Sequence, residues 1–515
     1  ADVEGTPLTG EGELQLKDDY AFKTEIHLGR TDLAALNRLA PSFRPPIEIK
    51  GRAQLNGSVS GTLKPLKFDT TGEVRARDLV AEGFKVDNLS FRWGKDKSGL
   101  KLDAIKAELY GGEVSGSAVV PMSNAAVGTA NLRIRDLNAQ SLAKSLPAFP
   151  VSLEGKVSGT VKGELAAAKA NQPRAWTTDV ELTAPKLRVE GIPAQKLKGT
   201  IDSHEGKTSY RLQGESLGGT FNLKGDLPSR TKEKPKEKPD EPVGRGLLEV
   251  RGARLSRLWE AYNITGGLAH LHGQFSINLP YRHEGPRDLP VGNGTFRIVN
   301  IQWDDESLSD GLQGDVGLTA NELRLSNITG DLAEGLFLGQ FVFGLKQGSR
   351  SWFSIDLQQV EASRLLIPLP EVASHVHGPV DVNLRGRIGP EWDGSGGATL
   401  TRGQVYGLDV TEWRIPLQFS FVPSQGSGEL TVRDSVARIA QGRARFDGEL
   451  HWGNGLRLIG TLLFYQVDLR TLLRHSPELS SYASGRVSGR IDLAGNEMRS
   501  INDLTAIVQA KLQQG

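Results

Sequence analysis

The chain contains no cysteine and only two methionines in 515 residues. Disulfides, thiolate metal sites, cysteine nucleophiles and iron–sulfur clusters are excluded together, and such a chain suits an oxidising compartment. Aromatic residues make up only 6 %, which argues against a few large aromatic-filled cores. Neither sign of charge is in excess: 62 Lys+Arg stand against 61 Asp+Glu, a formal net charge of +1. Nucleic-acid binders carry a basic surplus, so no nucleic-acid partner is expected. No apolar run approaches the roughly 18 residues that a membrane-spanning helix needs. The start, Ala1-Asp-Val-Glu-Gly-Thr6, is polar and shows no signal peptide. Either the start has been processed or the chain is a piece of something longer.

Glycine is what the chain has in surplus, with 61 residues, against a usual level of about 7 %. Length alone, at about 150 residues per domain, suggests three or four globular domains. The glycines point elsewhere. A glycine block opening an alternating strand recurs at Gly5, Gly112, Gly219, Gly335 and Gly442, in steps of 107, 107, 116 and 107 residues. Leucines of short helical segments, Leu36, Leu142, Leu258, Leu365 and Leu472, step by 106, 116, 107 and 107. A third marker, a glycine after each helical segment, falls at Gly51, Gly155, Gly273, Gly378 and Gly485. The long third interval contains Thr231-Lys-Glu-Lys-Pro-Lys-Glu-Lys-Pro-Asp-Glu-Pro242, a proline-rich charged tract that reads as a disordered surface loop over about 229–244. The expected organisation is nearly five units of about 107 residues: 1–111, 112–218, 219–334, 335–441 and a partial 442–515.

Within each unit the dominant period is two. Phe22, Thr24, Ile26 and Leu28 alternate with Lys23, Glu25 and His27, while Val180 and Leu182 alternate with Asp179, Glu181 and Thr183. Phe221 and Leu223 follow the same pattern. Such alternation gives strands with one apolar and one polar face. Gly292-Asn-Gly294 and Gly453-Asn-Gly455 read as turns, as do Gly57-Ser-Val-Ser-Gly61 and Gly155-Lys-Val-Ser-Gly159. The expected fold is mainly β: an elongated, curved antiparallel sheet with one short helix of about ten residues per unit, several helices ending near Pro41, Pro147, Pro368 and Pro477. One-faced sheets must bury their apolar side. Either two sheets close on each other as sandwiches, or one curved sheet leaves an apolar trough that shelters something elongated, such as an acyl chain. The segment Gly455–Asp468 carries Leu458, Leu462 and Phe464 on one parity and Ile459, Leu463, Tyr465 and Val467 on the other, and so predicts a strand buried on both sides.

Sharper chemistry finds little support. His270/His272 and His375/His377 have ligand spacing on a strand. Other copies place Glu48/Lys50, Ser152/Glu154 and Tyr482/Ser484 there, so a solvated strand face is the better reading. Asp304-Asp305-Glu306 lacks any EF-hand or nonapeptide calcium context and reads as a polar turn. No nucleophile elbow or Walker motif is present, so no catalytic residue, metal or cofactor is assigned.

Four phrases remain: Val467-Asp-Leu-Arg-Thr-Leu-Leu-Arg474, Ser484-Gly-Arg-Val-Ser-Gly-Arg-Ile-Asp-Leu-Ala-Gly495, the stretch from Val432 to Leu450, and the ending Ala506–Gly515. In these the chain resembles the AsmA-like superfamily, which includes TamB-type proteins of diderm bacterial envelopes. The resemblance implies a taco-like β-groove that moves phospholipid or another acyl-chain lipid without catalysis. It also implies a periplasmic location, inner-membrane anchoring through a segment not included here, and membrane or outer-membrane protein partners. The residues expected to line the groove are Phe22, Ile26, Val180, Leu182, Phe221, Leu223, Phe341, Phe343, Leu462 and Phe464. The alternatives are a scaffold for outer-membrane or secreted proteins, and a structural array of closed β-sandwiches.

Overall fold

The computed structural model describes residues 2–3, 6–16, 19–33, 49–81, 84–95, 99–121, 126–145, 152–166, 176–204, 207–227, 244–283, 290–346, 348–367, 369–453, 455–474, 478, 484–498 and 503–513. The fold is mainly β, 78 % strand and 8 % helical, with antiparallel, unclosed sheet and few short helices. The chain divides into two compact units. One comprises 1–216, 221–247 and 282–289; the other comprises 217–220, 248–281 and 290–515.

In the first unit, strands pair in sequence order from Thr6–Leu14 to Lys207–Ser216, each antiparallel to the next. In the second, the same meander runs from Val291–Trp303 to Thr505–Gln513. Alternate strand ends therefore lie on two sides, and the described α-helices all stand on one of them. Among the described residues these are Ala139–Ser145, Leu255–Ala261, Ala362–Leu365 with Pro370–Ala373, and Leu469–Leu472. They stand at the expected places, but with 4–7 residues each instead of about ten. An isolated helix this short is not stable, so these are docked turns held by the sheet. The first expected helix beyond Leu33, the prolines 41, 147, 368 and 477, and the charged tract up to residue 243 lie outside the described residues; Gly244 already begins the strand Gly244–Arg254.

The sequence period has a local physical cause. Three residues before the helices that begin at Ala139, Leu255, Ala362 and Leu469 one residue adopts left-handed backbone: Asp136, Gly252, Gln359 and Gln466, with φ of 55°, 64°, 54° and 53°; at Asp136, Gln359 and Gln466 the strand register shifts, as at a bulge. The N–H of each of the four donates to a side chain on the following strand, namely Ser158 Oγ (2.9 Å), Ser276 Oγ (3.2 Å), Asp381 Oδ1 (2.8 Å) and Ser488 Oγ (2.9 Å). A bulge leaves one N–H outside the ladder, and these side chains satisfy it. The first-marker glycine lies flat against the same peptide: a Cβ at Gly112, Gly219, Gly335 or Gly442 would come within 2.5, 2.4, 2.5 and 2.5 Å of the carbonyl oxygen preceding the bulge. The next residue is locked in the core, with Leu137, Ala253, Val360 and Val467 at 3, 0, 0 and 1 % exposure. Thr31, at the same step in the first copy, is 1 % exposed. The third-marker glycines all have positive φ, from 96° at Gly485 to 158° at Gly273, which glycine adopts without steric cost. Asp381→Ala should therefore cost about 1 kcal/mol by orphaning the Gln359 N–H, read as a lower urea midpoint for the second unit.

Helix Leu469–Leu472 has a side-chain cap. Asp468 accepts from the Thr471 hydroxyl (2.6 Å) and the Thr471 N–H (2.8 Å), and these two bonds, in that order, hold its carboxyl below the usual carboxylate range. A lowered folded pKa means stabilisation that is complete above the unfolded value, about 3.9, and that drains as pH falls through the folded value. Protection of the Leu473 amide, which bonds the Leu469 carbonyl at 3.0 Å, should fall over that window. In Asp468→Asn, an uncharged cap, this pH dependence should vanish.

Four segments depart from expectation. Gly292-Asn-Gly294, Gly57–Gly61 and Gly155–Gly159 are not turns; all lie inside strands Val291–Trp303, Ile49–Leu63 and Leu153–Ala166. Glycine is required there by close approach: a Cβ at Gly294 would sit 2.0 Å from the Asn278 carbonyl oxygen, and one at Gly57 would sit 2.7 Å from the Trp93 ring. Strand Leu456–Asp468 is not buried on both sides, since Ile459 and Tyr465 are 43 and 52 % exposed. The bulge at Gln466 turns Val467 to the apolar side, where it pairs with Val487.

Candidate functional site: the apolar face

Residues opposite each other on antiparallel strands share a side of the sheet. Register therefore traces each face strand by strand. In the first unit, Phe22 and Ile26 face Gly61 and Gly57. These in turn face Phe68 and Gly72, and Gly72 faces Trp93. Trp93 faces Leu102, and Leu102 faces Ala118. Two residues along that strand, Gly116 faces Leu132, followed by Val161, Val180, Ile201 and Tyr210. Leu182 shares the side of Val180 and faces Gly159 and Gly199. Phe221 joins the same side, packing against the buried cluster of Ala139, Ala184, Leu187 and Ala194; Leu223, two residues on in the same strand, shares it. The opposite side reads Lys23, Glu25, Ser58, Glu73, Arg92, Lys162, Asp179, Glu181 and Arg211.

Burial on this face is graded. Among the described residues between positions 8 and 216, the buried apolar strand residues, such as Leu28, Leu79, Ala107, Leu137 and Leu187, lie in the helix-side half of their strands. Toward the turn side the face is half-buried at Phe22, Phe68, Trp93, Val180 and Leu182. At its end it is open: Leu14, Leu63, Leu66 and Val120 are 50, 47, 68 and 46 % exposed. Large apolar patches left open on a protein surface are where ligands or partners commonly bind.

The second unit repeats the two-faced pattern. Phe341 and Phe343 face Leu325 and Leu323. Leu462 and Phe464 face Phe446 and Ala444 on one neighbour and Ile491 and Gly489 on the other. The structure thus sets all ten expected groove residues on the apolar side of their own unit. Sequence reading missed an aromatic ladder that crosses the strands: Phe343, Phe341, Phe353, Trp392, Phe421 and Trp452, with successive centroids 6.0–6.5 Å apart, and Phe419 branching from Phe353 at 6.1 Å. Its rings lie over glycines of neighbouring strands. A Cβ at Gly386 would meet the Phe353 ring at 2.8 Å, and one at Gly394 would meet the Phe419 ring at 2.7 Å, an aromatic–glycine pairing that fills the space a side chain would need. Leu417-Gln-Phe419-Ser-Phe421 carried the period-two signal, but only strand register links these rings.

Part of this unit is filled. Leu279, Phe296, Val316, Phe353 and Leu400 are 4, 6, 2, 5 and 2 % exposed, and most belong to one buried cluster running from Leu279 to Leu400. From strand Leu408–Val422 onward the apolar side is half-buried again at Leu417, Phe419, Leu430, Leu462 and Phe464.

The histidine pairs are placed as strand-end groups. His270 Nδ1 lies 2.7 Å from Asp304 Oδ1 and its ring stacks on Trp303 at 5.6 Å. His375 stacks on Tyr406 at 4.6 Å, and His377 Nε2 lies 3.2 Å from the Ser374 carbonyl. Asp304 and Asp305 form a turn between paired Trp303 and Glu306. Among the described residues, the group that brings three ligand atoms together is Glu429, Glu449 and His451, on the polar side; Arg433 already engages Glu449. The clear pKa shifts besides Asp468 belong to exposed ion pairs. Hydrogen bonding to Glu73, Asp393 and Asp492 raises Arg75, Arg387 and Arg490, while Arg490 and then Thr461 hold Asp492 low. All move away from neutrality, the opposite of a poised acid or base.

No protein-family model, curated protein or solved structure matches this chain.

Proposed function

We propose that the chain is a non-enzymatic lipid-carrying segment whose apolar sheet face shelters the acyl chains of phospholipid or a similar amphiphile. The observation that supports this most is the open apolar face of the first unit, traced by register from Phe22 to Tyr210 and half-buried or exposed along its turn side. The opposite side of the same strands is polar. Tails lie against that face and head groups project past the turn side into water. Full burial of a CH₂ gains about 0.8 kcal/mol, so a chain covered on one side only gains roughly half of that per carbon. Spread over many equivalent rungs, such binding holds an amphiphile without trapping it, and sliding needs no catalytic group. The place proposed for this activity is the envelope of a diderm bacterium, in support of its outer membrane, with envelope membranes and membrane proteins as partners.

The closed-sandwich alternative has one observation in its favour, the filled cluster of the second unit, but among the described residues the first unit has no counterpart on its turn side. Incubating the purified chain with a fluorescent fatty acid tests the reading. Saturable uptake with a blue-shifted emission is expected; the absence of uptake would count against a lipid groove.

A further inference from the structure

Within the second unit, two segments distant in sequence meet. The Thr265 N–H donates to the Pro423 carbonyl (3.0 Å), and the Thr265 hydroxyl donates to the Ser424 carbonyl (3.1 Å). Beside them the backbones of Gly266 and Gly426 touch, with φ of 70° and 63°; a Cβ at Gly266 would lie 2.4 Å from the Gly426 Cα. Thr265 precedes the 3₁₀ turn Gly266–His270 on the helix side, whereas Pro423–Gly426 is the hairpin turn between Leu408–Val422 and Ser427–Ile439 on the turn side. Contact between opposite strand ends requires the sheet of this unit to curl over one of its faces. That face is the apolar one: Gly267 lies against the Trp303 ring, at 3.4 Å from its would-be Cβ, and Trp303 follows the buried Ile301 by two residues on the apolar side.

We propose that this contact is a gate across the apolar trough of the second unit. The inference rests on the lipid-carrying reading and adds a control point to it. The contact stands where the character of the trough changes. Before it the apolar side is packed by Leu279, Phe296, Val316 and Leu400; after it, from Leu417 to Leu462, the face is half-buried. An amphiphile has two parts, and the closed contact obstructs both. Its tail meets the packed side chains, and its head group meets a polypeptide bridge joining the two rims. Lipid therefore passes only when the rims part and the packed side chains yield. The contact suits repeated opening, because three hydrogen bonds, all from Thr265, and one glycine–glycine approach hold it, with no strand ladder between the two segments to unzip.

The absence of native cysteine makes the test clean. Thr265→Cys/Ser424→Cys is joined by a short thiol–thiol cross-linker, and the protein is loaded with a diazirine-bearing palmitate and irradiated. Labelled peptides are then mapped. Expected is an at least tenfold loss of labelling on peptides containing Phe296 and Val316 in the cross-linked protein, with labelling of the Leu417–Phe464 peptides unchanged. Gly266→Val, which forces the rims apart, should raise labelling at Phe296 and Val316 above the parent. Equal labelling at Phe296 and Val316 with and without the cross-link overturns the gate and leaves the groove standing. Failure of the two cysteines to cross-link overturns it as well. Absence of label throughout the chain rejects the groove reading and the gate with it.

Discussion

Val180→Asp/Leu182→Asp should lower fatty-acid uptake by the first unit at least a hundredfold, while Asp179→Lys/Glu181→Lys in the same strand should leave it within about twofold. The four residues are consecutive, so the pair of variants separates the two faces of one strand. Val180 and Leu182 face Ile201 and Gly199 on one side and Val161 and Gly159 on the other, all on the apolar surface. An aspartate there must lose water whenever an acyl chain covers it, which costs roughly 2 kcal/mol or more per site; two sites together correspond to more than a hundredfold in affinity. Asp179 and Glu181 face Asp202 and Thr200 on the polar side, where reversing a charge in water changes little. Both Val180 and Leu182 are half-buried, not locked in a core, so the sheet should survive, checked by an unchanged far-ultraviolet β signal. Equal loss of uptake in both variants would mean that the faces are not distinct in function.

The second large effect concerns Gly396 and Gly397, neighbours in strand Trp392–Val405. A Cβ at Gly396 would sit 1.9 Å from the Asn383 carbonyl oxygen, whereas one at Gly397 would have its nearest neighbour, the Ile415 carbonyl oxygen, at 3.4 Å. Gly396 lies on the apolar side, facing Leu384 and Leu417, where the adjoining strand leans over it. Gly396→Ala should destabilise the second unit by about 3 kcal/mol through overpacking against backbone that cannot yield. Gly397→Ala should be neutral, or stabilising by up to about 1 kcal/mol through the less flexible unfolded chain. Urea unfolding followed by the tryptophans of this unit distinguishes them. If Gly396→Ala were as stable as the parent, the glycine surplus would have no role in bending the sheet toward its apolar side.

The two-faced strands were legible in the sequence because a period of two survives in any half-buried strand: Phe22 to Leu28 and Val180 to Thr183 alternate in the chain as they do in the sheet. The helix positions were legible for a related reason, since the bulge, the glycine packed on it and the core residue after it recur as one device. Helix length was not legible, because a docked turn such as Ala362–Leu365 is set by the sheet beneath it and not by local propensity. The in-strand glycines misled. Gly57 and Gly294 look like turn residues until the Trp93 ring and the Asn278 carbonyl beside them are seen. The aromatic ladder and the Thr265–Pro423 contact were out of reach entirely. Both depend on which strand neighbours which and on how far the sheet curls, and neither is encoded in local spacing.

Native mass spectrometry of the purified chain after exposure to phosphatidylethanolamine and phosphatidylglycerol vesicles tests the central claim most directly. Several non-covalent adducts of phospholipid mass per chain are predicted, lost from the first unit's face in Val180→Asp/Leu182→Asp. The bare protein mass at every lipid concentration, with the fold intact, would contradict the account.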